Sequence, residues 1–132
     1  MMKSMSMDSM PMGMAMDMEA MQDCLMAMNA CQMACTMCAG QDMTMGGMEK
    51  CAAMCMDMAD LCGAAMGMMM RPAGYDTAAM NAMLTACMAM GEACMAECER
   101  HASMAECCRY CAMACRDMMA KCEAMMASMQ PA

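Results

Sequence analysis

The chain has 132 residues and contains no Val, Ile, Phe or Trp; its only Leu are Leu25, Leu61 and Leu84, and its only aromatics are Tyr75 and Tyr110. Strands draw on β-branched and aromatic side chains, so these absences argue against any sheet. No apolar run approaches the length that spans a bilayer, and no membrane insertion is expected. The N-terminus lacks the continuous apolar region of a secretory signal and is interrupted by Asp8 and Asp17. A single imidazole, His101, stands without a paired acid/base constellation, so there is no catalytic residue to assign and the chain does not read as an enzyme. Basic residues are few, 7 Lys and Arg against 15 Asp and Glu, for a net charge of −8. That balance argues against nucleic acid and anionic membrane surfaces as partners, and it attracts cations weakly.

What the chain does have is sulfur: 36 Met and 15 Cys. Together with abundant Ala, Glu and Gln, the Met content favours helix, and the length suits one domain with one core. Residues 1–16 form a low-complexity leader in which Met alternates with Ser, Asp, Gly or Ala. Its sharper reading is a thioether arm for Cu(I), its plainer one a solvated tail. Residues 17–132 form the folded unit, with helices expected at about 17–39, 47–70, 77–101 and 104–128. Gly40 should stop the first helix from the C′ position. Pro72 should end the second, because it disfavours helical geometry at Arg71. Asp76 or Thr77 should cap the third. Ser103 and Glu106 have capping-box spacing, which starts the fourth at Met104. Four helices of roughly 33 Å on short connections make an all-α, antiparallel up-down-up-down four-helix bundle.

Each helix carries one sulfur stripe at the spacing of a single helical face. The first reads Met21, Cys24, Met28, Cys31, Cys35, Cys38; the second Met48, Cys51, Cys55, Met58, Cys62, Met66, Met69. The third reads Met80, Met83, Cys87, Met90, Cys94, Cys98, His101, and the fourth Met104, Cys108, Cys111, Cys115, Met118, Cys122, Met125. Only Cys107 falls clearly off these stripes. For any one Met, core filling is sufficient explanation. For 14 aligned thiols it is not, since Leu packs better and free Cys is reactive. An odd number of Cys cannot pair completely, and neighbours on one helical face suit disulfide geometry poorly.

Thiolate with thioether is a soft donor set that selects Cu(I) over Mg, Ca or Mn. Zinc favours closed four-ligand sites and gains nothing from thioethers. An iron–sulfur cluster needs one local set of four Cys rather than a column. A column means storage. If each thiolate bridges two ions and each ion takes about two sulfurs, the capacity is on the order of a dozen Cu(I). The pairs Cys31/Cys35, Cys51/Cys55, Cys94/Cys98 and Cys111/Cys115 lie one turn apart and can each chelate an ion. The competing classes are a Met-rich helical scaffold and a copper chaperone with few metal sites.

From about Asp17 to Ala127 the sequence resembles the bacterial copper storage proteins. The likeness rests on the Cys-x3-Cys pairs of successive helices, on His101 ahead of the Met104-to-Cys122 helix, and on Met43-Thr-Met-Gly-Gly-Met48 leading to Cys51. It implies a four-helix bundle whose Cys-lined core holds many Cu(I) ions. The Met-bearing loop looks more like the exported branch, which implies a periplasmic or otherwise exported tetramer; a cytoplasmic location is the alternative. Self-association also suits the Met off the inner stripes, such as Met33, Met54 and Met88.

The topology further brings the end of the first helix, the start of the second, the end of the third and the start of the fourth to one pole. That pole collects Cys38, Met43, Met45, Met48, Cys51, Cys98, His101, Met104 and Cys107, and is the expected mouth. The expected metal ligands are therefore all 15 cysteines (Cys24, Cys31, Cys35, Cys38, Cys51, Cys55, Cys62, Cys87, Cys94, Cys98, Cys107, Cys108, Cys111, Cys115 and Cys122) together with His101, Met43, Met45, Met48 and Met104 at the mouth.

Overall fold

The computed structural model describes residues 17–74 and 76–129. The leader, residues 1–16, and Tyr75 lie outside them. Four helices occur, α1 Met18–Asp42, α2 Glu49–Met69, α3 Thr77–His101 and α4 Glu106–Ser128, with a short 3-10 turn at Pro72–Gly74 between α2 and α3. Among the described residues there is no strand. Each helix packs chiefly on two neighbours, α1 on α2 and α4, and α3 on α2 and α4, which closes an antiparallel four-helix ring.

The helix ends explain where the local rules hold. Asp17 Oδ1 accepts from the Glu19 amide at 2.9 Å and Asp76 Oδ1 from the Ala78 amide at 2.9 Å, so α1 and α3 have side-chain N-caps. Gly40 does not stop α1. The helix runs on to Asp42, because Asp42 continues the inner stripe one turn beyond Cys38 and is buried there, 1% exposed. The left-handed turn residue is instead Gly47, φ 81°, which reverses the chain just before Met48 and delays α2 to Glu49.

The capping box at Ser103 does not form either. The amides of Met104 and Ala105 both donate to the His101 carbonyl, at 3.0 and 2.9 Å, which holds the connection in a tight turn. Ala105 then becomes the N-cap of α4, without a side-chain hydrogen bond, while Glu106 pairs with Arg109 at 3.1 Å.

All the cysteines but Cys107 point into the ring and are buried. The α3 face differs from the expected one by about one position: Leu84 and Gly91 are buried and Met83 and Met90 only partly so. Gly91 allows this, since a Cβ there would lie 2.8 Å from Met118 Cε and 3.0 Å from Met119 Cγ of α4. Contrary to the reading of the bare sequence, α2 is long and apolar enough to cross a bilayer by length and composition, with 21 residues and a mean hydropathy of 1.2 over its most apolar 18. In the bundle its stripe of Cys51, Cys55, Met58 and Cys62 is buried against the other helices.

Candidate metal centre

The helical repeat stacks the thiols in layers along the bundle axis. At the mouth, Cys38 Sγ lies 3.6 Å from Cys107 Sγ and 3.7 Å from Cys108 Sγ. Cys51 Sγ is 3.8 Å from both Cys98 and Cys108. Further in, Cys55 stands 3.7 Å from Cys98 and from Cys111 and 3.9 Å from Cys94, and Cys35 stands 3.4 Å from Cys111. Cys31 follows, 3.9 Å from Cys35 and 3.8 Å from Cys115. The distal layer holds Cys24 and Cys122 at 3.9 Å.

Three sets of four buried thiols have all their sulfurs within 4.8 Å of one another: Cys35/Cys94/Cys111/Cys115, Cys38/Cys51/Cys98/Cys108 and Cys38/Cys55/Cys98/Cys111. Cys38, Cys98 and Cys111 each belong to two of these sets, so the layers are continuous rather than separate cages. All 15 cysteines are free thiols.

Such a column cannot ionise freely in the absence of a cation. Burial pushes the Cys87 thiol up to about 12, helped by the charges of Cys24 and Cys31. Burial is also the leading cause that raises Cys51 and Cys108. Cys38 is held below the ordinary thiol value by hydrogen bonds from Cys111, Cys55 and Cys98. One sulfur in such a set keeps its charge only because its neighbours keep their protons. A soft monovalent cation removes this restriction by replacing the protons.

Of the residues expected at the mouth, Cys38, Cys51, Cys98 and Cys107 are brought together, and Met48 is buried beside them. Cys107, the cysteine that fell off the stripes, joins through its contact with Cys38. Met45 is partly buried, whereas Met43 and Met104 project into solvent, 80% and 73% exposed. His101 sits at this pole outside the thiol sets. Its Nε2 is 3.1 Å from Glu97 Oε2, and its Nδ1 is buried without a hydrogen-bond partner.

Sequence reasoning missed two acids. Asp42 lies with its carboxyl oxygens 3.8 and 4.0 Å from Cys38 Sγ and 3.9 Å from Cys108 Sγ, and forms a possible ligand set with Cys38, Cys107 and Cys108. Burial pushes its carboxyl up. Glu97, 7% exposed, gathers Lys50, Arg100 and His101 around it. The signal for Asp42 was in the spacing Cys31, Cys35, Cys38, Asp42, and an expected helix end at Gly40 hid it.

A helical ring closed on layered free thiols defines a bundle built to bind soft metal ions in number. Residues 17–127 match the family of copper storage proteins, and the chain belongs to that family. Among solved structures it is similar to Ccsp from Streptomyces lividans loaded with 10 copper equivalents, with 40% identity over 86% of this chain and 88% of that one and a TM-score of 0.83. A structure described as copper loading, with five coppers, to a cytosolic copper storage protein from the same organism gives 40% identity over 83% and 93% of the two chains and a TM-score of 0.79. A variant of Streptomyces lividans Ccsp with one histidine replaced by alanine gives 39% identity over 88% and 99%, with a TM-score of 0.83. No curated protein sequence matches the chain.

Proposed function

We propose that this chain stores Cu(I) in number, held by its cysteine thiolates inside the bundle and admitted at the pole of Cys38, Asp42, Cys107 and His101. The observation that carries the reading is the run of sulfur–sulfur contacts of 3.4–3.9 Å from Cys107 through Cys38, Cys108, Cys51, Cys98, Cys55, Cys111 and Cys35 to Cys31 and Cys115. With metal–sulfur bonds of about 2.3 Å, two sulfurs on one ion are at most about 4.6 Å apart, so each contact suits a shared ion. The ligands of this reading are the 15 cysteines, with Asp42, Met45, Met48 and His101 at the mouth. The role is sequestration, not catalysis.

Titration of the reduced chain with Cu(I) against a chromophoric chelator tests it. On the order of a dozen tightly held equivalents is expected, whereas one or none would leave a chaperone or a scaffold.

The cytoplasm is the better-supported compartment. A solved relative is described as cytosolic, and 15 free thiols suit a reducing compartment. Copies of the chain associate, in this reading, through the outer face of α1 and α4. That face exposes Met26, Met33 and Met37 of α1 and Tyr110 and Met113 of α4. Light scattering that showed only a monomer would remove this part.

A further inference from the structure

We propose that Met118 is a copper ligand, and that with Cys24 and Cys122 it forms a mixed thiolate–thioether site for one Cu(I) in the half of the core beyond the four-thiol sets. This rests on the storage reading and deepens it.

The four-thiol sets all lie in the mouth half and middle of the bundle, and none includes Cys24, Cys62, Cys87 or Cys122. The distal half is filled instead by thioethers: Met28, Met69, Met80, Met118 and Met125 are all fully buried. Within it, two sulfur contacts form a short relay. Cys24 Sγ donates to Cys122 Sγ at 3.9 Å, and Cys122 Sγ donates to Met118 Sδ at 3.4 Å. Both separations are below the limit of about 4.6 Å for two sulfurs on one soft ion. Met118 has the fixed position a ligand needs. Cys122 is one turn from it on α4, and Gly91 of α3 leaves room for its methyl, since a Cβ at Gly91 would approach Met118 Cε to 2.8 Å.

The chemistry balances without a redox partner. Cu(I) binds as Cu(I), the two S–H bonds of Cys24 and Cys122 break, and two protons leave to solvent. Two Cu–thiolate bonds and one Cu–thioether bond form. The product carries a single net negative charge, less than a third thiolate would impose in this dry end of the core. A thioether cannot join a disulfide, so pairing of thiols alone cannot consume the third donor of this site.

The test uses the full-length reduced chain, its Met118→Leu variant and a Met80→Leu control, a second thioether buried in the same half of the core. Leu for Met is close to volume-conserving. Titration with Cu(I) against a chelator should show one equivalent bound at least ten-fold more weakly in Met118→Leu, with Met80→Leu unchanged. In the selenomethionine-labelled chain at full loading, copper X-ray absorption should show a Cu–Se distance whose amplitude falls in Met118→Leu. Unchanged affinities in Met118→Leu, or equal losses in both variants, would overturn the site. So would absence of Cu–Se scattering in the labelled parent chain, which needs no substitution to fold. A parent chain that bound no more than one ion would instead overturn storage itself.

Discussion

Cys107 and its neighbour Cys108 show how much one helical step decides. A single step turns a side chain by about 100°, and Cys108 is buried while Cys107 is half-buried at the rim. Cys107 still reaches Cys38 at 3.6 Å, so it counts as one rim donor. Replacing it with Ala should lower Cu(I) capacity by at most about one ion, whereas Cys111→Ala with Cys115→Ala should remove more, because both belong to one four-thiol set. Stoichiometry by chelator competition separates the two, and equal losses would disprove the axial arrangement. At this scale the cysteines were legible in the sequence, because spacings of three, four and seven fix a face. Asp42 and Glu97 were not. An acid in a sequence reads as solvated surface, and only the assembled pole shows the thiols and cations that receive them.

Helices as elements followed their caps where the cap was a side chain and departed from them where burial competed. Asp76, one of the two residues expected to cap α3, does so, and Asp17, at the expected start of α1, caps that helix. Gly40 and Ser103 carried equally good local signals and lost, one to the buried Asp42 stripe and the other to the His101 carbonyl. Packing between elements was illegible for a related reason: Gly91 carries no side chain to mark it as core, yet it sets how closely α3 approaches α4. Gly91→Ala should therefore destabilise the apo bundle by about 1 kcal/mol through overpacking, despite the better helix propensity of Ala. Urea denaturation of the metal-free chain measures the sign, and stabilisation would show that α3 stands further off.

For the molecule as a whole, the fold leaves the apo state short of cohesion. The large side chains buried completely are six Met and Leu84 with Asp42, and thiols fill the rest of the axis. Copper should stabilise the fold by linkage, by about 4 kcal/mol for each independent site at a free ion concentration 1,000 times its dissociation constant, and so raise the melting temperature. The two states should also respond oppositely to pH. In the apo chain a thiol such as Cys87, raised from 9.0 to about 12, contributes its full stability below about pH 9 and loses it as pH rises toward 12. In the loaded chain the thiols are already deprotonated, so protons compete with the metal and the stabilisation declines on acidification. Melts of both forms across this range check the crossover.

Entry at the proposed mouth would also set the order of traffic. Cys107 is the one thiol not buried, and it stands at the mouth pole, while the far pole is closed by Met69, Met80, Leu84 and Met125, all without solvent exposure. A column with one open end would behave as a stack. The ion admitted last should be the first to leave, and copper taken up early the hardest to recover. Loading with one copper isotope followed by a smaller pulse of a second should make a chelator release the second isotope first, and the age of each stored ion would be written in its depth.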